Sequence, residues 1–96
     1  MNKYELTVVV SANIEDEARA AVVDKCKAYV ERFGGKIVNV EEAGKKKLAY
    51  DIQHMHEAFY YFIHFDAEAS APIEIENRVR IMDNVLRFLV VRQDEQ

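Results

Sequence analysis

Two kinds of hydrophobic periodicity take turns along this chain, and their order limits the fold more than any single residue does. Over residues 4–10, Leu6, Val8 and Val10 alternate with Glu5, Thr7 and Val9, the period of a strand. Nearly all are apolar or β-branched, which suits the middle of a sheet. Asn13 then offers a helix N-cap, and Glu15, Asp16 and Glu17 suit the positive end of a helix dipole. Ala18, Val22, Cys26, Tyr29, Val30 and Phe33 recur at helical spacing, with Arg19, Asp24, Lys27 and Glu31 off that stripe. Gly34 and Gly35 stop the helix, one of them free to take the left-handed cap conformation.

A second strand is expected over residues 36–52, bulged at Gly44 just before Lys45, Lys46 and Lys47. Leu48, Tyr50 and Ile52 alternate with Lys47, Ala49 and Asp51. That pattern would set one row in a core and leave the basic start in water. Residues 53–57 read as a hairpin connection. A third strand, residues 59–65, carries Tyr61, Ile63 and Phe65 in one row and Tyr60, Phe62 and His64 in the other. Residues 66–69 are a loop, Ser70 is an N-cap, and Pro72 fits the first turn of a helix over 71–80 that buries Ile75 and Val79 and pairs Glu74 with Arg78 outside. After a turn at 81–84, residues 85–92 form the last strand, with Leu86, Phe88 and Val90 in one row and Arg87, Leu89 and Val91 in the other. Residues 93–96 are a polar tail.

The order βαββαβ implies an α+β, ferredoxin-like fold. Right-handed crossovers then put both helices on one face of a four-stranded antiparallel sheet, with the first and third strands in the middle. Tyr60, Phe62, Arg87 and Leu89 should point to the other face. A second bulky row on the third strand exceeds what one covered face requires, so that face needs a cover or a partner.

The 96 residues suit one domain, residues 1–96, with one modest core. No apolar run approaches the roughly 20 residues of a membrane span, and residues 1–5 lack a signal peptide's apolar region, so a cytoplasmic protein is expected. The one cysteine, Cys26, allows no internal disulfide and no Cys-x-x-Cys motif, and a packed thiol is expected. Thirteen basic against 17 acidic residues give a net charge of -4, unlike a free-standing nucleic-acid binder. Base is concentrated at Lys45 to Lys47 and at Arg78, Arg80, Arg87 and Arg92. The lysine run reads either as a grip on phosphate or as a solvated, aggregation-blocking edge.

No catalytic constellation emerges, and neither an enzyme nor a cofactor is expected. Ser11 and Ser70 sit where turns and caps belong; His54, His56 and His64 cluster near one hairpin, but His54 and His56 would not share a face with a carboxylate at ligand spacing. Gly34-Gly35 precedes a strand, not the helix that a phosphate loop requires. Acylphosphatases share the topology, but residues 11–14 hold neither the arginine nor the glycines their first loop needs. RNA-recognition motifs share it too. Tyr60, Phe62, Ile63 and Phe65 match part of their third-strand pattern, while Ala58, Phe59 and Tyr61 miss the rest.

Four stretches in register carry a broader resemblance. They are Tyr4-Glu5 before an apolar strand, Gly35-Lys36-Ile37 after the first helix, Glu41 to Tyr50 with its Gly-Lys-Lys-Lys-Leu-Ala-Tyr core, and Arg80-Ile81-x-Asp83-Asn84-Val85-Leu86-Arg87 leading to Arg92. Across essentially its whole length the chain resembles the bacterial family of protein six of the small (30S) ribosomal subunit. Asp51, His54 and Ala58 stand where that family usually has proline, a basic residue and glycine. The resemblance implies a structural, non-enzymatic ribosomal protein. It would bind the central domain of 16S ribosomal RNA as a heterodimer with protein eighteen of the same subunit, in translation and subunit assembly. It implies RNA contacts at Lys3, Tyr4, Lys46, Lys47, Arg80, Arg87 and Arg92. Protein eighteen would pack on the sheet side, over Tyr60, Phe62 and Leu89. The other readings are a stand-alone single-strand RNA binder that stacks bases on Tyr60 and Phe62, and a small-molecule regulatory domain that dimerises through its sheet.

Overall fold

The computed structural model describes residues 1–52 and 55–93. Six elements follow one another: β1 (Asn2–Ser11), α1 (Asp16–Arg32), β2 (Lys36–Ile52), β3 (Met55–Ala67), α2 (Ala71–Val79) and β4 (Val85–Arg92). The strands form one antiparallel sheet in the order β2-β3-β1-β4, with β1 and β3 in the middle as expected. Leu6, Val8 and Val10 from β1 and Tyr61, Ile63 and Phe65 from β3 form the core, with Val22, Val23, Cys26 and Val30 of α1 and Ala71, Ile75 and Val79 of α2. Both helices therefore cover the same face. Fully burying a side chain such as Leu6 or Ile63 contributes about 1.5–3 kcal/mol. Burial also pushes the Cys26 thiol up to about 12, so it stays protonated and unreactive at neutral pH.

The first helix starts later than its sequence suggests. Asn13 lies in a turn and its backbone N–H donates to Ser11 Oγ at 3.1 Å, while Glu15 holds the cap position with no side-chain bond. Ser70 likewise occupies a cap position without a side-chain cap bond. Ala18 is exposed and Arg19 turns inward in its place. The inward face of α1 is thus Val22, Val23, Cys26 and Val30, with half-buried Arg19 extending it one turn towards the N-terminus. The Arg19 guanidinium lies 3.6 Å from the Phe59 ring centroid, and its Nε donates to the Tyr61 hydroxyl at 2.9 Å. Its Nη2 donates to Asp16 Oδ1 at 2.8 Å. Burial opposes the charge on Arg19, but Asp16 and Tyr61 more than offset it and raise its pKa.

Gly34 (φ 87°) takes the left-handed conformation that ends α1. A β-carbon on Gly35 would lie 2.7 Å from Val30 Cγ1 and 2.8 Å from the Val30 carbonyl oxygen, so helix and β2 approach there as only glycine allows. Arg78 sits over the Phe33 ring, 5.7 Å from its centroid, and does not pair with Glu74. In β4 a register shift between Val9 and Val10 leaves Leu86 without a cross-strand partner, since Val10 meets Val85 and Val9 meets Arg87. Val85, not Leu86, consequently joins Phe88 and Val90 against the core.

The long second strand is bulged at Gly44 (φ 85°) as its sequence suggests, but its second half does not pack in the core. The last β1–β3 pair is Ser11 with Ala58. Beyond it β2 and β3 continue as a two-stranded arm, paired Lys47 to Glu57 and Ile52 to Met55. Leu48 and Ile52 are half-buried and Tyr50 is 60% exposed. Of the expected 53–57 connection, Gln53 and His54 lie outside the described residues, as do tail residues 94–96.

Candidate nucleic-acid and partner interface

Alternation along the strands sends the second row of each to the face without helices. There Val9 lies between Tyr60 and Arg87, Thr7 between Phe62 and Leu89, and Glu5 between His64 and Val91. Tyr60 and Phe62 are half-buried, whereas Leu89 is 57% exposed. Thr7, Val9, Tyr60, Arg87, Phe88 and Leu89 line a hollow of about 210 Å³. An apolar patch with a guanidinium at its rim is the pattern of a protein interface.

The two ends of this face differ in charge. At one end His64 Nε2 is 3.6 Å from Glu5 Oε2 and 3.9 Å from Glu41 Oε1, and His64 Nδ1 is 3.2 Å from Gln93 Oε1. At the other end, where the arm begins, stand Lys45, Lys46 and Lys47, all exposed, and of the three Lys46 falls in the row of this face. Lys45 pairs with Phe59, and its Nζ lies 5.7 Å from that ring's centroid. Lys46 pairs with Ala58 and Lys47 with Glu57, so the last two lysines lean to opposite sides of the arm. Arg87 Nη1 donates to the Tyr50 hydroxyl at 3.0 Å.

The remaining expected RNA contacts are spread out. Arg80 is exposed at the end of α2, its guanidinium 5.8 Å from the Phe88 ring centroid. Arg92 falls in the helix-side row opposite Tyr4, and its Nη2 donates to Asn2 Oδ1 at 3.1 Å. Lys3 is exposed at the far end of β1, which runs roughly 27 Å from Lys3 to Ser11. The structure therefore gathers Arg87 with the arm and sets Lys3 apart from Lys46 and Lys47. Tyr4 is a core residue, 7% exposed and stacked on Phe65 with centroids 5.6 Å apart. Its hydroxyl accepts from Asn2 Nδ2 at 3.2 Å, so its ring is not a platform for a base.

Sequence reasoning missed Tyr50 as a surface residue, because its alternation with Lys47 and Asp51 looks the same in an overhanging arm as in a sheet. It also missed the His64 cluster, whose members Glu5, Glu41, His64 and Gln93 are 23 or more positions apart in sequence. Among the described residues no group of three His, Cys, Asp or Glu could hold a metal ion, and no helix is long and apolar enough to cross a membrane.

Comparison with known proteins matches this geometry to one family. The family model described as ribosomal protein S6 matches residues 3–92. The small ribosomal subunit protein bS6 of Heliobacterium modesticaldum is 42% identical over 96 residues, covering 100% of both chains. The bS6 protein of Clostridium novyi is 38% identical over 95 residues, covering 99% of this chain and 100% of its own. The crystal structure of 30S ribosomal protein S6 from Thermotoga maritima superposes with a TM-score of 0.91 at 30% identity, covering 96% of this chain and 87% of that one. With the family model, the full-length relatives and the superposed fold in agreement, this chain belongs to the ribosomal protein S6 family and is a structural component of the small subunit of the cytoplasmic ribosome.

Proposed function

We propose that this chain grips the central domain of 16S ribosomal RNA with its lysine arm and the adjoining Arg87, while protein eighteen of the small subunit covers the apolar sheet face. The observation that carries this reading is the division of one surface. Leu89, Phe62 and Tyr60 form an apolar field, the exposed cations Lys46 and Arg87 stand at its arm end, and exposed Lys47 extends the grip from the other side of the arm. A few placed cations fix a protein on phosphates without reading bases. A chain of net charge -4 gains little from its overall field, so much of the affinity has to come from a basic partner. Arg80, Arg92 and Lys3 would serve as outlying phosphate contacts, and Tyr4 as a support beneath them. The stand-alone stacking reading is weaker, because Tyr60 and Phe62 are half-buried and the central strand offers Glu5, Thr7 and Val9 beside them.

Filter-binding titrations of a central-domain RNA fragment test the proposal. The chain alone should bind weakly, and the chain with protein eighteen tightly. Replacing Lys46→Ala and Lys47→Ala together should weaken the complex and lower its salt slope by about 2, about 1 per phosphate contact. Tight, specific binding by the chain alone would refute the shared grip, and an unchanged slope would refute the role of the arm.

A further inference from the structure

The face without helices is not evenly open. Val9, Ser11 and Ala58 occupy its rows, yet they are 4%, 3% and 0% exposed, against 57% for Leu89 and 37% for Val91. The buried three lie at the arm end. The Ser11 hydroxyl donates to Met55 Sδ on the arm at 3.3 Å, and Val9 is flanked by Tyr60 and Arg87. The arm thus roofs one end of the sheet. It also reaches across: Tyr50 belongs to edge strand β2 and Arg87 to the opposite edge strand β4, 37 positions away in sequence. The Tyr50 hydroxyl accepts from Arg87 Nη1, and the guanidinium carbon lies 5.7 Å from the ring centroid.

We propose that Tyr50 is a positioning residue that clasps the arm to Arg87, so that Lys46 and Arg87 meet RNA as one preset surface. A two-stranded ribbon is marginal by itself, and an unclasped arm would lose its freedom only on binding. The clasp orders it beforehand. A guanidinium has five N–H donors, so Arg87 keeps donors for phosphate while Tyr50 holds one of them. The RNA part of this inference rests on the function proposed above; the clasp itself does not.

Amide hydrogen exchange and RNA titration on the full chain separate the two. Tyr50→Ala should speed exchange over residues 45–52 by about ten-fold while Leu6, Val8 and Ile63 keep their protection. Tyr50→Phe, which keeps the ring and loses the hydroxyl, should fall between. With protein eighteen present, Tyr50→Ala should weaken RNA binding by about five-fold at an unchanged salt slope, because no cation is removed. Unchanged exchange in the arm would overturn the clasp. Tighter RNA binding would make Tyr50 a blocker of Arg87 and would also overturn it, as would a lowered slope. If the wild-type pair fails to bind the RNA, the proposed function fails, while the exchange result still decides whether Tyr50 clasps.

Discussion

Leu6 and Thr7 are neighbours in β1 and meet opposite surroundings. Leu6 faces the helices and is fully buried, whereas Thr7 faces the other way, between Phe62 and the 57% exposed Leu89. The helix side is completed by this chain's own residues, from Arg19 over Phe59 to Val79 under the sheet. The other side is completed only where the arm leans over Ser11 and Val9. One side therefore answers to folding alone, and the other is free to answer to assembly.

That contrast can be broken most directly with one substitution on each side. Ile63→Ala should cost about 2–5 kcal/mol in denaturant unfolding, because it empties a fully buried site. Leu89→Ala should stay within about 0.5 kcal/mol, yet weaken the association with protein eighteen proposed above. Equal destabilisation by the two would erase the distinction between the faces. Glycines sharpen it next. Gly35→Ala pushes a methyl group into Val30 and should cost about 1–3 kcal/mol by thermal or chemical unfolding. Gly44→Ala meets open space and pays only for its positive φ, about 1 kcal/mol, while shifting the aim of the arm. The last test concerns dryness. The Cys26 thiol is raised in the folded chain from 9.0 to about 12, so its contribution is complete below about pH 9 and declines as pH rises towards 12. By pH 10 the native chain should lose about 1 kcal/mol more than Cys26→Ala loses over the same interval. Parallel stability profiles would mean that water reaches the helix side.

The parts of this architecture legible in the sequence are those where local pattern and global packing agree. Leu6, Val8 and Val10, with Ile63 and Phe65, alternate in sequence and alternate in the sheet. Gly44 announces a bulge because few other residues tolerate its φ of 85°. The illegible parts are those where a pattern is correct and its partner is unknown. Tyr50 alternates like a core residue, but the core ends at Ser11 and Ala58, a limit set by the length of another strand. Leu86 gives up its place to Val85 because a one-residue shift in β4 reverses which neighbour faces inward. Arg19 replaces Ala18 because a guanidinium held by Phe59, Tyr61 and Asp16 counts as an inward residue, which residue type alone does not say. At the interface, the apolar surplus on β3 was readable; the separation of Lys3 from Lys46 and the burial of Tyr4 depend on distances that spacing does not encode.

The seam between β1 and β4 joins the earliest-made strand to the latest-made one, and the Gln93 amide still bonds to the Lys3 carbonyl at 2.7 Å. During synthesis β1 can find β3 and gather a three-stranded precursor, but its other flank stays bare until β4 emerges. A bare central strand lined with valine is a template for foreign strands. Completion of this small protein is therefore a late, long-range event, and a nascent chain stalled before Val85 is the species most exposed to aggregation.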